Sequence, residues 1–186
     1  VNNERKFLMA TLRDLQRRVH DEIPDRFRFP RILSVLALHE EVGELLGEFK
    51  QSAVPDRTST EIAAEVGDVL LSCLEIANSY GLTIEPIDPI RVNIAQHRLS
   101  VNLYLAACAV SKECLDIEGF EQSHISQLEA ALNRVVQSLA ELAASWGVDF
   151  VAAFEEKFEL ILGFVADGTW ESRYGNRLLM KRKKFD

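Results

Sequence analysis

The apolar residues of this chain recur at the spacing of an α-helix, and that periodicity leaves little room for any other fold. Val35, Leu38, Val42, Leu45 and Phe49 advance in steps of 3, 4, 3 and 4, and Ile62, Val66, Val69, Cys73, Ile76 and Tyr80 in steps of 4, 3, 4, 3 and 4. Such steps gather side chains on one helix face, whereas a half-buried strand needs strict alternation. No stretch alternates for long enough to argue a strand, so the fold class expected is all-α. Leu8, Leu12, Leu15 and Val19 mark an earlier helix that must stop near Pro24, and Pro30 stands where the first turn of the next can begin. Thr58 and Glu61 have capping-box spacing, Gly81 is placed to end that helix in a left-handed turn, and Thr83 to Ile90, with Pro86 and Pro89, reads as a connector.

The pattern then starts again. A shift of 66 residues lays Leu33, Ser34 and Val35 on Leu99, Ser100 and Val101. The same shift lays Ala64, Val69, Ser72, Glu75, Ala77, Ser79 and Gly81 on Ala130, Val135, Ser138, Glu141, Ala143, Ser145 and Gly147, with Tyr80 on Trp146. Two separate blocks agreeing on one offset predict a tandem duplication of one helical hairpin. The expected organisation is a single domain over residues 1–186, with repeat one at about 32–85 and repeat two at about 98–151.

Composition narrows the function classes. With 186 residues, 47% of them apolar, the chain can bury one core. No apolar run approaches the roughly 18 residues that would cross a bilayer, and the N-terminal stretch VNNERKFLMATLRDLQRR is charged and periodic, so a cytoplasmic protein without a membrane partner is expected. A formal net charge of −8 argues against a nucleic-acid surface, which rests on a basic patch. Cys73, Cys108 and Cys114 are odd in number and lack metal-ligand spacing, so they read as reduced thiols.

Chemistry concentrates in the acids of repeat one. Residues 38–46 read LHEEVGELL and residues 65–70 read EVGDVL, so Glu41 and Glu44 lie three apart on one helix and Glu65 and Asp68 three apart on the next. Residues so spaced are neighbours on a helix surface, and like charges there repel by roughly 0.2 to 0.5 kcal/mol per pair. If the two helices pack as a hairpin, four carboxylates converge and call for a cation. Oxygen donors with no His or Cys among them suit Mg²⁺, Mn²⁺ or Ca²⁺. The second repeat supplies an internal control: Glu40, Glu41 and Glu44 become Ala106, Ala107 and Val110, while Glu65 and Asp68 become Ala131 and Arg134. Acids that merely decorate a solvated face would not vanish as a set while the apolar frame persists.

LHEEVGELL followed by EIAAEVGDVLLSCLEIANSYGL resembles the MazG-like and dimeric dUTPase superfamily of all-α nucleoside triphosphate pyrophosphohydrolases, whose signature is ExxE on one helix and ExxD on the next. Glu41 with Glu44, Glu65 with Asp68, and the segment containing Asn78 and Gly81 carry the match, which covers about residues 5–85 with a degenerate echo over 98–160. The resemblance implies a four-helix core formed within one chain and one active site per chain. It implies hydrolysis of a nucleoside triphosphate to monophosphate and pyrophosphate with Mg²⁺, for which Mn²⁺ can substitute. Glu41, Glu44, Glu65 and Asp68 would hold the metal, with Glu41 and Glu44 catalytic and Glu41 orienting the water.

Glu40 is a candidate neighbouring base, Lys50 and Asn78 are candidates for substrate binding, and Gly43 and Gly67 could let helices approach closely. Phe27 and Phe29 could line a base pocket; core or loop anchoring is the more common fate of such residues. Arg134 is expected either to pair with a carboxylate or to be exposed. Glu121 and His124 have the ExxH spacing of di-iron bundles, but such a site needs two of these motifs. The basic run Lys181 to Lys184 reads as a solvated tail. The rival reading is a regulatory module that binds metal and nucleotide without turnover, and a homodimer is left open.

Overall fold

The computed structural model describes residues 2–24, 30–51, 59–85, 87, 94–118 and 124–169, which form six α-helices and no strand. These are α1 (Asn2–Glu22), α2 (Arg31–Gln51), α3 (Ser59–Tyr80), α4 (Gln96–Glu118), α5 (Ile125–Ser145) and α6 (Phe150–Ala166). α1 ends two residues before Pro24, as its missing N–H requires. α2 begins directly after Pro30, whose carbonyl accepts the Leu33 and Ser34 N–H groups at 2.8 and 3.1 Å. Pro30 thus caps the helix from one residue further out than the first-turn position its ring suggested. Thr58, the first member of the expected capping box, lies outside the described residues.

Gly81 ends α3 at φ +67°, a left-handed conformation that a Cβ would strain, and the Leu82 N–H reaches back to the Ala77 carbonyl at 2.8 Å. Gly147 does the same after α5 at φ +71°, with the Val148 N–H on the Ala143 carbonyl at 2.9 Å. α4 and α5 begin and end within one residue of where a shift of 66 places α2 and α3.

α2 packs on α3 and α4 on α5; α2 also meets α4 and α3 meets α5, while α1 and α6 lie against α3. Serving these neighbours requires more than one apolar stripe. Leu70, Leu74 and Ala77 therefore join Val66, Val69, Cys73 and Ile76 as residues of α3 with no exposed surface. Such burial is worth roughly 1.5 to 3 kcal/mol for each large side chain, before the entropy of ordering the chain.

The chain between α3 and α4 is tied down by side chains where it is described. Glu129 accepts the Thr83 N–H at 3.0 Å, Asn133 accepts the Glu85 N–H at 2.7 Å, and Gln16 of α1 donates to the Leu82 carbonyl at 2.8 Å. α6 starts at Asp149, whose Oδ1 accepts the Val151 and Ala152 N–H groups at 3.0 and 3.1 Å. It is clamped to α1 by Arg18, which bonds Glu155, Glu22 and Glu159 and lies over the Phe158 ring. No disulfide joins the three cysteines, and Cys73 and Cys114 are buried. Among the described residues no helix is long and apolar enough to cross a membrane.

Candidate metal centre

The packing of α2 on α3 brings three of the four predicted acids together and leaves Asp68 outside the converging set. One carboxylate oxygen each from Glu41, Glu44 and Glu65 falls within 4.8 Å of the others. Asp68, one turn beyond Glu65, is close enough to act electrostatically on both Glu41 and Glu65. Glu41, Glu65 and Asp68 are half-buried and Glu44 is exposed, so the cluster has one open side. Oε2 of Glu65 is buried and has no hydrogen-bond partner. A buried acceptor without a donor costs about 1 to 3 kcal/mol, more if charged, and a cation would satisfy it.

The carboxyls respond as desolvated like charges must. Glu41 is pushed up to about 8, chiefly by burial and then by Asp68, Glu44 and Glu65. Burial likewise pushes Glu65 up to about 7, with Asp68, Glu44 and Glu48 adding repulsion. Asp68 is raised by burial and partly restored by Lys157. At the positions 66 residues further on, Ala107, Val110 and Ala131 are fully buried and Ala106 nearly so, while Arg134 is exposed. Glu41 and Glu65 are thus half-buried at positions whose counterparts are core, whereas Glu40 and Glu44 remain exposed.

Lys157 of α6 is the residue that periodicity and spacing did not single out. Its Nζ lies 2.5 Å from Asp68 Oδ2, with both side chains largely shielded from solvent. Gly67 makes this possible, because a Cβ there would stand 2.8 Å from the Ala153 carbonyl oxygen and 2.9 Å from the Lys157 Cβ. Close approach of α6 is therefore the reason for one of the two motif glycines. Gly43 has nothing within 4 Å of its missing Cβ and plays no such part. The only sequence signal for Lys157 was a lone cation in an otherwise acidic and apolar helix, which names no partner.

Other candidates fall elsewhere. Glu40 is exposed and outside the converging set. Asn78 is spent on the fold: its Nδ2 donates to the Gln16 carbonyl at 3.0 Å, fixing α1 to α3, about 15 Å along the helix from Asp68 at 1.5 Å per residue. Lys50 is in the last turn of α2, and its side chain lies outside the described residues, as do Phe27, Phe29, Glu121 and Lys181 to Lys184. Arg134 is exposed and donates to the Ala130 carbonyl of its own helix at 3.3 Å.

His124 belongs to a second donor group, with Nδ1 3.0 Å from Glu113 Oε2 and 3.9 Å from Asp116 Oδ2. Lys112 bonds both acids, at 3.0 and 3.4 Å. Hydrogen bonds from His124 and Lys112 hold Glu113 below the usual carboxylate range, so the protein's own donors already serve this group. The Glu41 cluster differs in holding an orphaned oxygen. Compared with models of known families, with curated proteins and with solved structures, the chain matches none.

Proposed function

We propose that the chain is a Mg²⁺-dependent nucleoside triphosphate pyrophosphohydrolase of the MazG-like, dimeric dUTPase type, built on a duplicated hairpin that keeps its acids in the first copy. The observation that carries this reading is the convergence of Glu41, Glu44 and Glu65, with Glu65 Oε2 buried and unpartnered. The donor set fits the ion: hard carboxylate oxygens, no His or Cys among them, and an open side for substrate phosphates. The matching bounds and glycine caps of α2–α3 and α4–α5 support the duplication.

In this reading Glu41, Glu44, Glu65 and Asp68 hold the metal. When bound, Mg²⁺ neutralises charge developing on phosphoryl oxygens and lowers the pKa of water. The chain's own residues do the rest. Glu41, ionised when the site is filled, orients the attacking water and accepts its proton. The water oxygen bonds to the α-phosphorus as the α–β anhydride breaks, giving monophosphate and pyrophosphate. Glu44, on the open side, would be the ligand nearest to where substrate phosphates arrive. Leu36 of α2 and Val101, Tyr104 and Leu105 of α4 are exposed apolar residues that a second copy could cover.

The test is pyrophosphate release from a panel of ribo- and deoxynucleoside triphosphates with Mg²⁺, comparing the wild type with Glu44→Ala and Asp68→Ala. Magnesium-dependent release that falls by about 10² or more in both variants supports the reaction. Nucleotide binding without turnover by the wild type would replace it with the regulatory reading, and absence of both would remove it.

A further inference from the structure

Lys157 acts on Glu41, Glu65 and Asp68 alike, and it comes from α6, outside both hairpins. Its ammonium already occupies an oxygen of Asp68, one of the proposed metal ligands. Two features make this more than a surface ion pair. The Lys157 and Asp68 side chains are only 24% and 15% exposed, so water screens the contact poorly. The backbone is also shaped for it, since only a glycine at position 67 lets α6 come this near.

We propose that Lys157 is a resident counter-cation that competes with the divalent metal for Asp68, so that the metal enters by displacing the ammonium. This rests on the metal-site reading and adds its regulation. While Lys157 holds Asp68 Oδ2, that oxygen is withheld from a metal, and part of the charge of the acids is already offset. Affinity for the bare ion is then held down. A ligand that brings phosphate oxygens together with its metal has an advantage, because the released ammonium gains an anionic neighbour. Filling of the site is thereby coupled to arrival of substrate and not to metal concentration alone.

The opposite role predicts the opposite result: if Lys157 merely orients Asp68 for the ion, its removal weakens metal binding. The experiment is calorimetric titration of the full chain with Mg²⁺ and Mn²⁺, without nucleotide, for wild type, Lys157→Met and Lys157→Arg. It is run at pH 9, where protons compete least for the carboxylates. Lys157→Met keeps the length and packing of the side chain and removes its charge; it is expected to bind the bare metal about tenfold more tightly. Lys157→Arg keeps the charge and is expected to stay within about threefold of the wild type. Circular dichroism melts check that each variant is folded, and the ζ-ammonium NMR signal of Lys157 in the wild type is expected to shift on metal addition. Unchanged or weaker binding by Lys157→Met, with the wild type still binding metal, overturns the competition and leaves the metal site standing. No metal binding by any of the three overturns both.

Discussion

Replacing Glu41 by Gln should make the metal-free protein more stable, and only at high pH. The Glu41 carboxyl moves from an ordinary 4.5 to about 8 on folding. The folded chain therefore keeps a proton that the unfolded chain has lost between about pH 4.5 and 8, and stability falls as pH rises through that window. Below it both states are protonated and the residue costs nothing; above it the full penalty applies. At 1.36 kcal/mol per pKa unit that penalty is about 5 kcal/mol, and solvent reaching the open side of the carboxyl roughly halves it, to about 2 kcal/mol. Gln is neutral throughout. In EDTA at pH 9, Glu41→Gln should melt about 4 to 8 °C above the wild type, at the 2 to 4 °C per kcal/mol expected for a chain of this size. At pH 5 the gap should nearly close. Saturating Mg²⁺ at pH 9 should reverse the order, because the wild type gains binding energy that the variant has lost. Scanning calorimetry at the two pH values, with and without Mg²⁺, reads all of this. An equal gain at both pH values, or none at pH 9, would refute the view that Glu41 is a desolvated charge awaiting a cation.

Other perturbations separate fold from site. Gly67→Ala places a methyl against the Ala153 carbonyl and Lys157 Cβ, and should destabilise by about 1 to 3 kcal/mol in urea denaturation while loosening the Lys157–Asp68 pair. Asn78→Ala should lower stability by about 1 kcal/mol through loss of the bond to the Gln16 carbonyl. Its KM for any nucleotide should be unchanged; a raised KM would return Asn78 to the substrate site. Arg18→Met should cost about 1 kcal/mol, since its three carboxylate partners are substantially exposed, and should show as faster amide exchange in α6 before any other helix.

The helices were legible because each carries its own period. The caps at Gly81 and Gly147 and the stop before Pro24 follow from local backbone rules, and the four acids were legible as two pairs at helical spacing. What the periodicity could not reveal is what lies against them. α6 reaches the centre from far along the chain, and the presence of Lys157 beside Asp68 depends on the packing of α6 on α3, which no local pattern encodes. Asn78 shows the same limit from the other side: its place in a motif-like segment suggested a ligand, whereas burial against α1 gave its amide a backbone partner. Gly43 and Gly67 look alike in sequence, and only the neighbouring helix distinguishes them.

The two acidic pairs do not sit on equally firm ground. α3 is wedged among α1, α2, α5 and α6, whereas α2 has α3 and α4 as its main supports. Glu65 and Asp68 are thus carried by an anvil, and Glu41 and Glu44 by a jaw. If these acids hold an ion, any closure onto it falls to α2, the helix with fewer supports. A lesion that loosens α2 from α4 would therefore disturb Glu41 and Glu44 while leaving Glu65 and Asp68 in place.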